Sequence, residues 1–242
     1  MFDHVTIRAS DREASERFFD TVLSVLGIEK TYADEWFVEW GDFSLAEADE
    51  EKPITRRLHA GFVAPSRDHV DAFHRTGIEA GYWSDGAPGP RSQYRDDYYG
   101  AFLLDPDGNS IEAVHHGAME GTGIDHVWIR VADVPASRDF YELVGRHAGF
   151  ALTSDVGHRA HFSGEGASFS VTEGAAPTED LHMAFPVPEN AIVDAFHADA
   201  TGAGYRDNGA PGERPVYHER YYGAFVFDPD GNNVEAVCHL PG

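Results

Sequence analysis

Two stretches of the chain carry the same hydrophobic and polar pattern around the same turn. Tyr98 to Val114 reads YYGAFLLDPDGNSIEAV, and Tyr221 to Val237 reads YYGAFVFDPDGNNVEAV. An apolar run, an Asp-Pro-Asp-Gly turn and a second apolar run predict a β-hairpin. Pro fixes φ and Gly accepts the positive φ of a tight turn. Elsewhere the period changes from two to about 3.6. A short strand from Val5 to Arg8 precedes a helix from about Asp11 to Leu26, capped by Ser10 or Asp11 and striped by Phe18, Val22, Val25 and Leu26. A strand from Ala60 to Val63 precedes a second helix from about Arg67 to Ala80, with Val70, Phe73 and Ile78 inward. Short strands follow each helix: Trp36 to Trp40 and Phe43 to Glu47, then Ala101 to Leu104 and Ser110 to His115.

The pattern then repeats. His4-Val5 matches His126-Val127 and Gly27 matches Gly149 at an offset of 122; His59/His182, Phe73/Phe196 and Glu112/Glu235 match at 123. The chain is two homologous halves, 1–117 and 124–242, joined by a Gly-rich linker at 118–123. Each half is doubled again, because His4 and Phe18 are spaced like His59 and Phe73. Asp133 caps the corresponding helix of the second half, with Pro135 tolerated in its first turn. Four units of strand, helix and about three strands predict an α+β architecture: βαβββ units with curved mixed sheets and helices on their outer side.

Composition narrows the partners. The 242 residues hold 42 acidic and 18 basic side chains, a formal charge of −24. Such a field repels nucleic acid and anionic membranes, so neither is expected as a partner. The balance also fits adaptation to high salt, where screening removes self-repulsion; a melting temperature that climbs from low to molar salt would mark it. No run reaches the roughly 18 apolar residues of a membrane span. The N-terminus shows no signal-peptide pattern, and the single cysteine, Cys238, excludes an internal disulfide. Both point to the cytoplasm.

The candidate chemistry lies where the repeat keeps polar residues inside apolar strands. Every unit opens its first strand with a histidine: His4, His59, His126 and His182. The hairpins carry Glu112 and Glu235, and a buried carboxylate must be paired, hydrogen-bonded or bound to a metal. Strand alternation turns Ile111 and Ala113 toward the helices and Glu112 into the cup of the sheet. Two histidines and a carboxylate from three strands match a facial triad for a divalent metal with open positions. Neighbouring positions differ between the halves (Thr6 against Trp128, Ser110 against Asn233) while the His and Glu positions stay.

The four-unit plan, the DHV opening, the LHxxF start of the second unit and the DPDGNxIE hairpin resemble the vicinal oxygen chelate superfamily. That superfamily includes glyoxalase I, bleomycin and fosfomycin resistance proteins and extradiol dioxygenases. The resemblance covers essentially the whole chain and implies two glyoxalase-like domains. It implies His4, His59 and Glu112 as metal ligands in one half, with His126, His182 and Glu235 as their counterparts. The cofactor it implies is a divalent ion: Fe, Mn, Ni, Co or Zn. The activity it implies is lyase, isomerase or dioxygenase chemistry on a small substrate held through vicinal oxygens. The alternative is a non-catalytic binder that sequesters an aromatic or antibiotic-like molecule. Whether units pair within a half, or across halves so that His4 meets His182 and Glu235, stays open at this level, as does a monomer of two pseudo-symmetric halves against a homodimer.

Departures from the family pattern bear on the activity. Glyoxalase I takes a fourth ligand from the last strand of the odd units, where Ser44 and Ser170 stand here; Glu47 and Glu173, three residues later, are the remaining candidates. Extradiol dioxygenases carry a Tyr where this chain has Phe102 and Phe225. A substrate pocket could be lined by Tyr98, Tyr99, Phe102, Tyr221, Tyr222 and Phe225. Gly86-Ala87-Pro88-Gly89 reads as a loop over the cup mouth carrying Arg91, with Arg214 as its counterpart, unless these arginines pair with surface carboxylates. His115, His116 and His239 read as rim residues, and His74 and His197 as helix residues without a partner in sight. Cys238 reads as packing.

Overall fold

Period-two and period-3.6 segments alternate along the chain as the repeat requires. In a computed structural model that describes residues 1–117 and 123–239, β1 (His4–Ala9) leads into α1 (Arg12–Leu23), and β2 (Tyr32–Ala33), β3 (Phe37–Trp40) and β4 (Phe43–Glu47) follow. The second unit is β5 (His59–Val63), α2 (Arg67–Glu79), β6 (Trp83–Pro90), β7 (Tyr99–Leu104) and β8 (Ser110–His115). The third is β9 (Ile124–Val131), α3 (Val134–Ala148), β10 (Ala151–Asp155), β11 (Arg159–Ser163) and β12 (Ser168–Glu173). The fourth is β13 (His182–Pro186), α4 (Asn190–Gly202), β14 (Asp207–Glu213), β15 (Tyr222–Phe227) and β16 (Asn233–Cys238). The fold is α+β, with two eight-stranded curved mixed sheets ordered β14-β15-β16-β13-β1-β4-β3-β2 and β10-β11-β12-β9-β5-β8-β7-β6. No helix among the described residues is long and apolar enough to cross a membrane. Residues 118–122 of the expected linker lie outside the described residues.

Local chemistry explains the boundaries. Asp11 caps α1 by accepting from the Ala14 N–H, and Asp133 caps α3 by accepting from Ala136. The α-helical part of the first helix stops at Leu23; Ser24–Leu26 tighten into a 3₁₀ turn closed by Gly27 at φ 77°. Ile78, expected inward, is 42% exposed, and Val25 is only half-buried. The inward position near the end of α2 belongs to Gly77, where a Cβ would run into the Leu103 side chain. The segment Gly86–Gly89 is not a loop. It lies in β6, an antiparallel neighbour of β7 whose register shifts between Ser84 and Gly86 and again between Gly86 and Gly89. Pro88 cannot donate to a ladder, and such residues are accommodated at bulged sheet edges.

Contacts group the chain into two compact units, Thr6–Val127 (here the N-terminal unit) and Met1–Val5 with the chain from Trp128 onward (the C-terminal unit). The N-terminal unit is centred on aromatic side chains: Phe19 meets Phe43 at 4.8 Å, and Phe43 meets Phe62 edge-on at 5.2 Å. In the C-terminal unit Phe162 stacks on Phe169 at 4.8 Å, and Tyr141 packs against Phe169 at 4.9 Å.

The hairpin turns also set strand register. Asp105 Oδ1 accepts from the N–H groups of Asp107 and Asn109, and the Asn109 side chain bonds the Thr55 carbonyl and the Leu58 N–H. Each such bond contributes about 1 kcal/mol net and more if left unmade in the interior. Together they pin β5 in parallel beside β8, with His59 opposite Ser110 and Gly61 opposite Glu112. Asp228 and Asn232 do the same for Leu181, so β13 pairs β16 with His182 opposite Asn233 and Ala184 opposite Glu235.

Candidate metal centres

Parallel register places His59 diagonally across from Glu112 and His182 diagonally across from Glu235, on the same sheet face. In the N-terminal unit a second histidine completes the group. His59 Nε2 lies 3.0 Å from His126 Nε2 and 3.1 Å from Glu112 Oε2, and His126 Nε2 lies 3.3 Å from the same oxygen. In the C-terminal unit His4 Nε2 lies 3.0 Å from His182 Nε2, with Glu235 Oε2 at 3.2 Å from His182 and 3.8 Å from His4. Units therefore pair across the sequence halves: each cup takes one histidine from the first half of the chain and one from the second. In each group the three donor atoms lie within 4.8 Å of one another.

The donor sets fit a divalent cation. Two imidazoles and a carboxylate are borderline ligands suited to Mn, Fe, Co, Ni or Zn. Adjacent ligands of an octahedral ion at about 2.1 Å stand about 3.0 Å apart, close to the spacing observed. Glu235 Oε2 is the sharper sign, because it is fully buried without a hydrogen-bond partner while aimed at two Nε2 atoms. A buried carboxylate oxygen in that state costs free energy that a cation would offset.

Surrounding groups hold the ligands in place. His4 Nδ1 donates to Asp3 at 2.8 Å and His126 Nδ1 to Asp125 at 2.7 Å, which turns each Nε2 toward the cup. Ser110 donates to Asp85 at 2.7 Å and accepts from His59 Nδ1 at 3.2 Å, with the same result. His182 differs. Asn233 Nδ2 stands 2.7 Å from its Nδ1, and Asn208 Nδ2 stands 2.9 Å from Asn233 Oδ1. Turning both amides over reverses both bonds, so this pair adapts to either tautomer. The other carboxylate oxygens are held by phenols: Tyr98 donates to Glu112 Oε1 at 2.9 Å and Tyr221 to Glu235 Oε1 at 2.8 Å.

Electrostatics separate the cups. Burial pushes the Glu112 carboxyl up, but the imidazoles of His126 and His59 outweigh it and hold the group down at about 2. Burial opposes the His126 imidazolium, yet hydrogen bonds to Asp125 and Glu112 raise it to about 9. His59 is lowered by its burial, with the charge of His126 adding to the effect. Glu235 is raised to about 7 by burial, against the weaker opposing effects of His4 and the Tyr221 hydroxyl.

Several expected residues take other roles. Glu47 and Glu173 lie exposed and join neither group. Ser44 bonds Thr6 at 2.7 Å and Ser170 bonds His161 at 2.8 Å. Strand alternation splits the tyrosine pairs: Tyr98 and Tyr221 face the glutamates, whereas Tyr99 and Tyr222 bond Asp71 and Asp194 on the helices. His116 and His239 are not merely rim residues, since they bond Asp125 and Asp3, the carboxylates behind His126 and His4. His74 and His197, read as partnerless, bond Ser84 and Asp207. Asp3, Asp125 and Asp85 were not legible as site residues. The Asp-His pair repeated at 3–4 and 125–126 was the available signal for the first two.

The fold and these groups define an α+β protein with a candidate metal cup in each unit. Residues 123–236 match the family described as the Glyoxalase/Bleomycin resistance protein/Dioxygenase superfamily, and the chain belongs to this vicinal oxygen chelate superfamily. Glyoxalase I from Zea mays superposes with a TM-score of 0.71 at 18% identity, covering 98% of this chain and 92% of that one. A putative dioxygenase from Bacillus subtilis gives a TM-score of 0.64 at 12% identity, covering 100% and 86%. A glyoxalase/bleomycin resistance protein from Albidiferax ferrireducens is 36% identical over 48% of this chain and 99% of its own, with a TM-score of 0.43. Among proteins with curated descriptions, none matches.

Proposed function

We propose that the chain is a metal-dependent enzyme whose two cups, His59-His126-Glu112 and His4-His182-Glu235, each hold a divalent ion. Its substrate is a small molecule with two neighbouring oxygens, and its chemistry is of the lyase or isomerase kind. The carrying observation is the buried, unbonded Glu235 Oε2 aimed at two imidazole nitrogens, in a donor set that recurs in the other unit. A bound ion of this kind acts as a Lewis acid that polarises a chelated oxygen and favours enolate-like charge.

The chain's own residues do the rest. Asp3, Asp125 and the Ser110–Asp85 pair present Nε2 lone pairs to the cup. Tyr98 and Tyr221 hold one glutamate oxygen each and leave the other for the ion. With Ser44 and Ser170 bonded elsewhere, each set supplies three protein ligands and leaves positions for a bidentate substrate. Phe102 and Phe225 stand directly opposite Glu112 and Glu235 in the hairpins and give each cup an apolar wall. That phenyl ring carries no proton to donate, which favours lyase or isomerase chemistry over ring cleavage.

Elemental analysis of purified protein, with melting curves in added Mn, Fe, Co, Ni and Zn, tests the reading. Close to two ions per chain is expected, falling to one in either His59→Ala or His182→Ala. A chain that takes up no ion, and whose melting temperature no ion moves, would instead be a non-catalytic binder.

A further inference from the structure

The Gly-Ala-Pro-Gly segments of β6 and β14 have no part in metal binding, yet both units build the same object from them. Arg91 follows the first segment. Its guanidinium donates from Nη2 to the Ala87 carbonyl at 2.7 Å and from Nη1 to the Pro90 carbonyl at 3.2 Å, and its Cζ sits 5.3 Å from the Phe102 ring centroid. Arg214 repeats this with Ala210 at 2.6 Å, Glu213 at 3.2 Å and Phe225 at 5.5 Å. The glycines make room: a Cβ on Gly86 or Gly209 would meet the phenyl ring at 2.8 or 2.9 Å, and one on Gly89 or Gly212 would meet the guanidinium at 3.1 or 2.9 Å. Each phenyl ring in turn lies beside a candidate ligand, Phe102 at 5.8 Å from the His59 ring and Phe225 at 6.2 Å from His182.

Two features make these arginines more than braces. Among the described residues, backbone carbonyls are their only hydrogen-bond partners and no carboxylate lies within ion-pair distance. In a chain of net charge −24, an arginine without a carboxylate partner beside each cup is contrary to the prevailing field. A guanidinium has five N–H donors in a rigid fork, so most remain for a ligand, and the fork matches a carboxylate. Stacking on the ring fixes its orientation.

We infer that Arg91 and Arg214 are specificity residues that select a carboxylate-bearing substrate, its acidic group on the arginine and its flat body along the phenyl wall toward the metal ligands. The position of the chelating oxygens rests on the metal reading above; the preference for an anion does not.

Benzoate and benzamide, which share a ring and differ in charge, serve as probes on the full chain. On metal-free protein, ligand-observed NMR is expected to show benzoate bound about tenfold tighter than benzamide at two sites. Arg91→Gln or Arg214→Gln should each leave one site, the double variant none, and Arg91→Lys with Arg214→Lys should keep a reduced preference. On manganese-loaded protein, 3,4-dihydroxybenzoate should exceed catechol by a similar factor, again lost in the double glutamine variant. Equal binding of benzoate and benzamide by the parent chain, or a preference that survives in the double variant, overturns the inference. That first comparison needs no variant to fold. A benzoate preference with no uptake of Mn, Fe, Co, Ni or Zn would sink the metal reading and leave the arginine assignment standing.

Discussion

The two cups share a donor set but balance its charge differently. In the N-terminal unit the His126 ring occupies the space a Cβ on Gly61 would take, so the histidine sits deep, within 3.3 Å of Glu112. In the C-terminal unit the corresponding residue is Ala184, and His4 stands 3.8 Å from Glu235. The N-terminal carboxylate is compensated by a protonated neighbour; the C-terminal one is left with an unbonded oxygen. One methyl group on a facing strand thus separates a cup whose carboxylate is balanced by its own histidine from one whose carboxylate keeps an unbonded oxygen.

Removing the carboxylates should break the symmetry most. Glu112→Gln strips a buried cation of one partner and is expected to cost about 3 kcal/mol in the metal-free protein. Glu235→Gln removes a carboxylate with no charge-balancing bond and should be near neutral or stabilising. Denaturant unfolding in chelator measures both, and equal losses would refute the contrast. Next comes the methyl group. Gly61→Ala should push His126 out and weaken metal binding in that cup about tenfold or more, as disturbed ligand positioning commonly does, while Ala184→Gly should let His4 settle closer to Glu235 and lower that carboxyl in the metal-free protein. Calorimetry in His182→Ala and His59→Ala backgrounds isolates each cup.

A smaller effect concerns the phenols. Among the described residues Tyr221 supplies the one hydrogen bond to the Glu235 carboxylate, whereas Glu112 also accepts from the His126 imidazolium. Tyr221→Phe should therefore cost more than Tyr98→Phe, by about 1 kcal/mol; a reversed order in metal-free melts would count against the geometry.

Protonation sharpens the comparison further. Glu112, held at about 2 against an ordinary 4.5, contributes stability that is present above 4.5 and lost as pH falls toward 2. His126, at about 9 against 6.5, contributes stability that is present below 6.5 and lost as pH rises through 9. Glu235, at about 7 against 4.5, loses its contribution between 4.5 and 7. Melts of the metal-free protein should therefore decline in two phases as pH rises from 4 to 10, the first over about 4.5 to 7 and the second over about 6.5 to 9. Glu235→Gln should abolish the lower phase alone, and a decline unchanged in that variant would show that the C-terminal cup does not set it.

Repetition made the fold, and the six His and Glu residues that cluster in it, legible in the sequence alone. Four strand-opening histidines and two hairpin glutamates interrupt apolar runs, and a buried polar residue kept at equivalent positions stands out against a period-two pattern. The Asp-Pro-Asp-Gly-Asn turns announced their hairpins because few residues satisfy that geometry. The bulged strand Trp83–Pro90 was not legible, since Gly and Pro signal a loop until an edge position accommodates them. Nor were Asp85 and Asn233, whose roles depend on which strand lies alongside.

The chain by itself determined that His and Glu would face a common interior, because alternation along a strand is a local property of the backbone. It could not determine which histidine would meet which glutamate, since both pairings use the same six residues and the same local patterns. Tertiary structure decided that, joining His4 to His182 and Glu235, and His126 to His59 and Glu112. It also decided that Gly61 and Ala184, one methyl apart and unremarked in the sequence, would give the two cups different electrostatics. Only packing brings a histidine ring to the place where that methyl would be.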